Sequence, residues 1–264
     1  MIYRSWVNLV RHSNYTTGGK STLVLGNLCS NWNDTKMDND ILLPFELAQI
    51  IYHRLVGFYG IPEWRVPLSP LDELVSTILS QNTNDTNRDR AFQVLRKRFP
   101  SWEEVRDAPE DEVIESIRPA GLANQKGPRI QELLREISRQ RGGLDLDFLR
   151  EMSDAETFEW LVSFKGVGPK TASIVMLFSL NKPAFPVDTH IYRVSGRLDL
   201  RPQEMDVEGA HSYLAQLFPE ETYAVAHLNL IRLGREICQA RKPDCPNCPL
   251  EDICRFVGKR SREA

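Results

Sequence analysis

Phe164-Lys165-Gly166-Val167-Gly168-Pro169-Lys170-Thr171-Ala172, followed downstream by Pro186-Val187-Asp188-Thr189-His190, decides how this chain reads. Two glycines bracket a valine, a proline follows, and a lysine opens an apolar helix. A lysine at the positive end of a helix costs roughly 0.3–1 kcal/mol. An unfavourable local choice beside a specialised turn marks a place where function overrides stability. Gly166 and Gly168 permit torsions closed to other residues and clear side chains from the loop. With Pro169 at the first helical position, the amides around Gly166, Gly168 and Lys170 are expected to point outward as an anion site. Such a turn grips a DNA strand through its phosphates without reading sequence. The same residues also read as a tight αα corner in which the glycines serve geometry alone.

Lys170 adds a nucleophile if its amine is held neutral, which a helix N-terminus and partial burial both favour. The plainer reading is a solvated lysine. Asp188 follows eighteen positions on (188 − 170), just before the helical stripe of Ile191 and Val194. Aspartate is a favoured N-cap. A cap is rigid, so one carboxylate can both start a helix and face a pocket.

The 264 residues suffice for one large or two small domains with a real core. Composition is that of a soluble globular protein, at 41% hydrophobic and 26% charged. No apolar run suggests a membrane span and no signal-peptide pattern opens the chain, so an intracellular, reducing location is expected. The net charge of −3 excludes a uniformly basic protein but leaves room for a basic face. Acids cluster at Asp107, Glu110, Asp111, Glu112 and Glu115, whereas His227–Ala264 carries eight Lys/Arg against five Asp/Glu. Of five cysteines, Cys29 stands alone and four crowd into Cys238–Cys254, which favours a metal site over a disulfide framework.

Residues 1–37 are rich in Asn, Ser and Thr and read as a mobile extension, with Met37 an alternative start. Gly18-Gly19-Lys20-Ser21 resembles a phosphate loop, but Asn14 occupies the place of its first glycine. From Pro44 onward the period is helical. Leu47, Ile50, Ile51, Leu55 and Phe58 form one stripe. Ser69 and Pro70 start a helix that buries Leu71, Leu74, Val75, Ile78 and Leu79. Ser101 with Glu104, and Ser153 with Glu156, have capping-box spacing. The segment after Pro169 is apolar almost all round and should be central. Strand alternation is absent, so the expected class is all-α.

The glycine-rich turn with Lys170, and Val187-Asp188-Thr189-His190 at this separation, resemble the helix–hairpin–helix DNA glycosylases, and closely the endonuclease III family. The resemblance runs from about Asp40 to Val257. It implies a bifunctional DNA glycosylase with AP lyase activity in base excision repair, acting on double-stranded DNA that contains damaged bases or abasic sites. A damaged nucleotide would be flipped into a cleft between two helical domains. Lys170 would attack the sugar C1′, expel an oxidised pyrimidine and form a Schiff base. Asp188 would stabilise positive charge on the sugar, and β-elimination would cut the strand on the 3′ side. Gly166, Val167, Gly168 and Thr171 would hold the backbone. The resemblance also implies a monomer associated with cytoplasmic, nucleoid DNA. The domains would be 64–182, carrying the hairpin, and 38–63 combined with 183–258, carrying the metal site, with 259–264 as a tail.

Cys238, Cys245, Cys248 and Cys254 are spaced C-x6-C-x2-C-x5-C. Four thiolates suit tetrahedral zinc or a [4Fe–4S] cluster, and thiol chemistry alone leaves both open. This spacing is that of the family's iron–sulfur cluster, which the resemblance therefore favours. Arg241 and Lys242, between the first two cysteines, match basic residues the family offers to DNA phosphates. Gly121-Leu122-Ala123-Asn124-Gln125-Lys126 looks like the family's intercalating loop, with Leu122 as wedge. Ser80-Gln81-Asn82 falls where the family carries a gap-filling glutamine, and ungapped matching puts Asn82 there, so both Gln81 and Asn82 are candidates. His190, His227, Gly234 and Arg235 also match, and the histidines are expected to tie the two domains together. A mismatch-directed glycosylase of the same superfamily, or a non-catalytic redox-sensing DNA-binding module, are the rival readings.

Overall fold

The computed structural model describes residues 43–63 and 66–256; the expected extension, its phosphate-loop-like run, Cys29 and the C-terminal tail lie outside them. Among the described residues there are helices, short 3-10 and π turns and loops, and no strand. The all-α class expected from the period is the class found.

Helix α1 spans Pro44–Tyr59, α2 Pro70–Ser80, α3 Asp85–Arg98, α4 Trp102–Asp107 and α5 Glu110–Ser116. A 3-10 turn, Arg118–Ala120, leads into α6, Ala123–Arg141. Helix α7 is Asp154–Val162, and α8, Pro169–Val175, runs on as a π turn over Met176–Leu180. Helices α9 (Thr189–Arg197), α10 (Val207–Ala215) and α11 (Tyr223–Glu236) precede the cysteine segment.

The starts follow from local chemistry. Ser69 Oγ accepts from the Asp72 amide at 3.2 Å, and Asp188 and Asp206 accept from the Ile191 and Gly209 amides at 2.8 and 2.7 Å. Ser153 and Glu156 form the full reciprocal box. At Ser101 only half of it forms: Ser101 Oγ accepts from the Glu104 amide, but the Glu104 carboxylate accepts from the Ser101 hydroxyl rather than from its backbone N–H. Helix α6 stops at Gly142, which is left-handed at φ 75°.

Two hydrophobic groups fill the interior. One gathers Leu71, Leu74, Ile78, Leu95, Ile130, Leu134, Leu161, Ala172 and Val175, so it runs from α2 to α8. The other gathers Ile51, Leu55, Phe185, Val187, Ile191, Leu214, Leu230 and Leu250, joining α1 to everything after the π turn. Burying each such side chain is worth about 1.5–3 kcal/mol, and the membership changes from the first group to the second between Leu180 and Phe185. Phe58 departs from its expected inward stripe and is half exposed, because α1 presents Ala48, Ile51 and Leu55 to the second group instead. Gly234 lets α11 approach α9: a Cβ there would stand 2.8 Å from the His190 Cβ.

Candidate functional site

The hairpin joins α7 to α8. Gly166 has φ 86°, a torsion that favours glycine. Gly168 does not: its φ of −97° is open to any residue, so the expectation that both glycines serve torsion holds for Gly166 alone. A Cβ on Gly168 would meet nothing within 4 Å, so what its hydrogen preserves is an uncovered backbone. Val167 and Thr171 are buried, and their side chains belong to the core; only their backbone can meet a ligand. The amides of Gly166, Gly168, Lys170 and Thr171 donate to no described residue. Unsatisfied donors at a helix start form an anion site.

Lys170 sits at the second position of α8 and is exposed, so the burial invoked to neutralise it is not supplied by the described residues. Its charge nonetheless reaches inward to Asp85, His211 and His227. Asp188 is buried as the cap of α9, one oxygen held by the Ile191 amide. The His227 imidazole feels both residues. Burial pushes it down to about 4, Asp188's charge and the Pro186 carbonyl oppose that, and the charges of Lys170 and His211 reinforce it. Lys170 and Asp188 therefore share one electrostatic neighbourhood around His227.

The segment leading to Asp188 is clasped by two histidines. His227 Nδ1 lies 2.9 Å from the Pro186 carbonyl. His211 Nδ1 lies 3.1 Å from the Phe185 carbonyl and 3.3 Å from the Val187 amide, one ring nitrogen facing both a donor and an acceptor. These contacts stay within the second hydrophobic group, and His190 meets Arg193 of its own helix at 3.2 Å, so neither expected histidine bridges the two groups by a hydrogen bond. The bridge is made elsewhere, by Arg235 on α11 and Asp85 on α3. His211 and Asp85 carried no signal in sequence, because their partners are distant in the chain.

Gln81 and Asn82 separate clearly. Gln81 donates to the Gly166 carbonyl at 3.3 Å and accepts from Arg129 at 3.1 Å, so both ends of its amide are engaged. Asn82 is exposed, left-handed at φ 54°, and its side chain hydrogen-bonds to no described residue. Leu122 is also left-handed, at φ 51°, and 47% exposed. A leucine in that conformation is strained by about 1–2 kcal/mol. Its side chain belongs to neither hydrophobic group.

Cys238, Cys245, Cys248 and Cys254 line a single pocket with Ile237, Pro243, Glu251 and Phe256. Burial pushes the Cys248 thiol up to about 11, against the Leu250 amide and with the three other thiols adding to it. Four thiols gathered in one pocket, with Cys248 held protonated by burial, are a donor set that a cationic metal group would relieve. Among the described residues, no three His, Cys, Asp or Glu side chains converge closely enough for a single ion. Arg197 at the end of α9 organises the loop, donating to the Gln239 and Ala240 carbonyls at 2.8 Å each and to Cys238 Sγ at 3.3 Å. Arg241 and Lys242 are exposed on that loop, with no ion pair to a described residue.

Residues 75–220 match the HhH-GPD superfamily of base excision DNA repair proteins. The chain is 33% identical to endonuclease III of Thermotoga maritima over 217 residues, covering 82% of this chain and 94% of that protein. It is 32% identical to endonuclease III of Bacillus subtilis over 195 residues, 74% and 85% of the two chains. Against an Arabidopsis thaliana DNA glycosylase-like protein, identity is 40% over 153 residues, and the chain spans about half of that relative (52%). Its fold superposes on a trapped endonuclease III–DNA covalent intermediate with TM-score 0.73 and 27% identity, covering 84% of this chain and 100% of the other.

Proposed function

The chain belongs to the HhH-GPD superfamily, within its endonuclease III family, and from that membership we propose how its residues carry out the chemistry. It is an enzyme of the DNA glycosylase/AP lyase class, and DNA is its partner. We propose that Lys170 is the nucleophile and Asp188 the carboxylate that stabilises the reacting sugar. The observation carrying this is that an exposed lysine and a buried aspartate lie near enough to His227 for both charges to reach it, in opposite directions.

The lone pair of Lys170 Nζ attacks C1′ of a flipped nucleotide, and the glycosidic C1′–N bond breaks with its electrons leaving on the base, which takes up a proton. Asp188 offsets positive charge developing on the sugar. The sugar ring then opens to a Schiff base. Loss of a C2′ proton sends electrons toward the iminium and breaks the C3′–O bond, expelling the 3′ phosphate, and water releases Lys170. Because Lys170 is exposed, the bound strand must supply the desolvation. The hairpin amides hold phosphate, Leu122 enters the stack as a wedge, and Asn82 rather than Gln81 fills the gap, since only Asn82 has an unengaged amide. Oxidised pyrimidines are the proposed damage class, acted on by a monomer at the nucleoid, and no described helix is long and apolar enough to cross a membrane. The two hydrophobic groups are read as the two domains lining the cleft.

Cys238, Cys245, Cys248 and Cys254 share one pocket and would hold a [4Fe–4S] cluster, which four thiolates at this spacing suit. When bound it supplies structural ligation of the loop and redox sensitivity. Iron-type visible absorbance is expected; a colourless protein with stoichiometric zinc contradicts the assignment. The catalytic reading is tested by incubating the protein with a duplex containing an oxidised pyrimidine and reducing with borohydride. A covalent adduct is expected in the wild type and none in Lys170→Ala. An adduct that persists in that variant removes Lys170 from the chemistry.

A further inference from the structure

Lys126 is almost fully buried on α6, yet it has no carboxylate partner among the described residues. Its Nζ donates to the Leu79 carbonyl and to the Ala120 carbonyl, each at 2.8 Å. Those two acceptors sit at the C-terminal ends of α2 and of the 3-10 turn Arg118–Ala120, where carbonyls lack helical partners and carry partial negative charge. Leu79 precedes Gln81-Asn82 by two residues, and Ala120 precedes Leu122 by two. One ammonium thus pins the roots of both loops that are assigned to the DNA stack.

Three residues on, and so on the same face of α6, Arg129 continues the connection. Its guanidinium donates to Gln81 Oε1 at 3.1 Å, and Gln81 donates on to the Gly166 carbonyl at 3.3 Å. The Arg129 side chain also lies against Gly166, where an added Cβ would meet its Cδ at 2.5 Å. An apolar residue of similar volume at 126 would avoid the cost of a buried charge, so packing alone does not call for a cation there. Burial pushes the Lys126 ammonium down to about 8, which leaves it charged at neutral pH.

We propose that Lys126 and Arg129 are positioning residues that join the wedge turn, the amide loop and the phosphate-gripping hairpin into one rigid unit for opening duplex DNA. This rests on the DNA-contact roles proposed above for those three loops. A unit of this kind is needed only when base pairs must be unstacked. A single-stranded abasic substrate already exposes its sugar and bypasses the requirement.

The test uses the full chain and two substrates of the same sequence, a duplex and a single strand each carrying one abasic site. Strand cleavage and borohydride adduct formation are measured on both. Lys126→Met and Arg129→Met are each expected to lower the duplex rate tenfold or more while the single-strand rate stays within twofold. Equal losses on both substrates, or no loss on either, overturn the proposal. If Lys126→Met unfolds at the assay temperature, Arg129→Met at its partly exposed position decides the question by the same ratio. A wild type that gives no adduct on either substrate instead overturns the nucleophile assignment, and the coupling with it.

Discussion

Asp85 Oδ2 and Arg235 Nη1 lie 2.6 Å apart although 150 positions separate the residues in the chain. The pair links the helix after the amide loop to the helix before the first cysteine, beside Lys170. Burial works against Asp85's charge, but the Arg235 hydrogen bond and the charges of Arg88, Arg235 and Lys170 prevail and hold its carboxyl below the usual range. Both side chains are about half exposed, at 47% and 48%. Arg235→Ala should therefore cost no more than about 1 kcal/mol in urea unfolding, and molar salt should erase the difference. A loss of several kcal/mol would show that the pair is more than a surface latch.

Asp188 combines a cap with a charge, and two substitutions separate them. Asparagine caps as well as aspartate, so Asp188→Asn should keep wild-type stability, whereas Asp188→Ala should lose about 1 kcal/mol. Base release should fall by roughly a hundredfold or more in both. Full activity in Asp188→Asn would assign the residue to structure alone.

Leu122 holds a strained torsion, so Leu122→Gly should raise unfolding stability by about 1 kcal/mol while slowing turnover on duplex substrate. Thermal melts and duplex cleavage rates measure the two effects. A glycine variant that is less stable than wild type would contradict the strain, and one with undiminished duplex turnover would remove the wedge.

Acid should destabilise the fold through His227. The unfolded histidine takes a proton near pH 6.5, while the folded one refuses it down to about 4, so the unfolded state binds more protons in that window. Stability is fully present above about 6.5 and is lost as pH falls toward 4, at up to about 1.4 kcal/mol per unit for one group. His211, lowered by burial against the Phe185 carbonyl and with Lys170 adding, acts in the same direction. Urea titrations at three pH values should show the slope, and His227→Gln should flatten it. A wild-type curve that rises on acidification would refute the sign.

Replacing Arg241 and Lys242 together by alanine should reduce the slope of log affinity against log salt for duplex DNA by about 1–2. An unchanged slope would take that loop out of the interface.

Much of this arrangement was legible in the sequence because it depends on neighbours. Ser69, Ser153, Asp188 and Asp206 cap helices through amides three residues on, and Gly142 ends one through its own torsion. The hairpin and the thiol spacing are equally local. What the sequence could not display were contacts whose partners are remote or generic. Lys126 is held by backbone carbonyls, which every residue possesses, so nothing in its surroundings marks it as buried. Asp85 and Arg235 meet only once the chain has folded. The exposure of Lys170 and Phe58 is likewise decided by how helices pack, and periodicity does not fix that.

Gly166 is constrained twice over, by its torsion and by the arginine lying against it. Asparagine and aspartate usually tolerate a left-handed site, but here their first side-chain atom would collide with Arg129. Relief would require the Arg129 side chain to swing away or be shortened, and either unties Gln81. Positions 81, 129 and 166 should therefore be inherited as a set: a lone change at the glycine is harmful, and its natural suppressor lies on the wedge helix rather than in the hairpin.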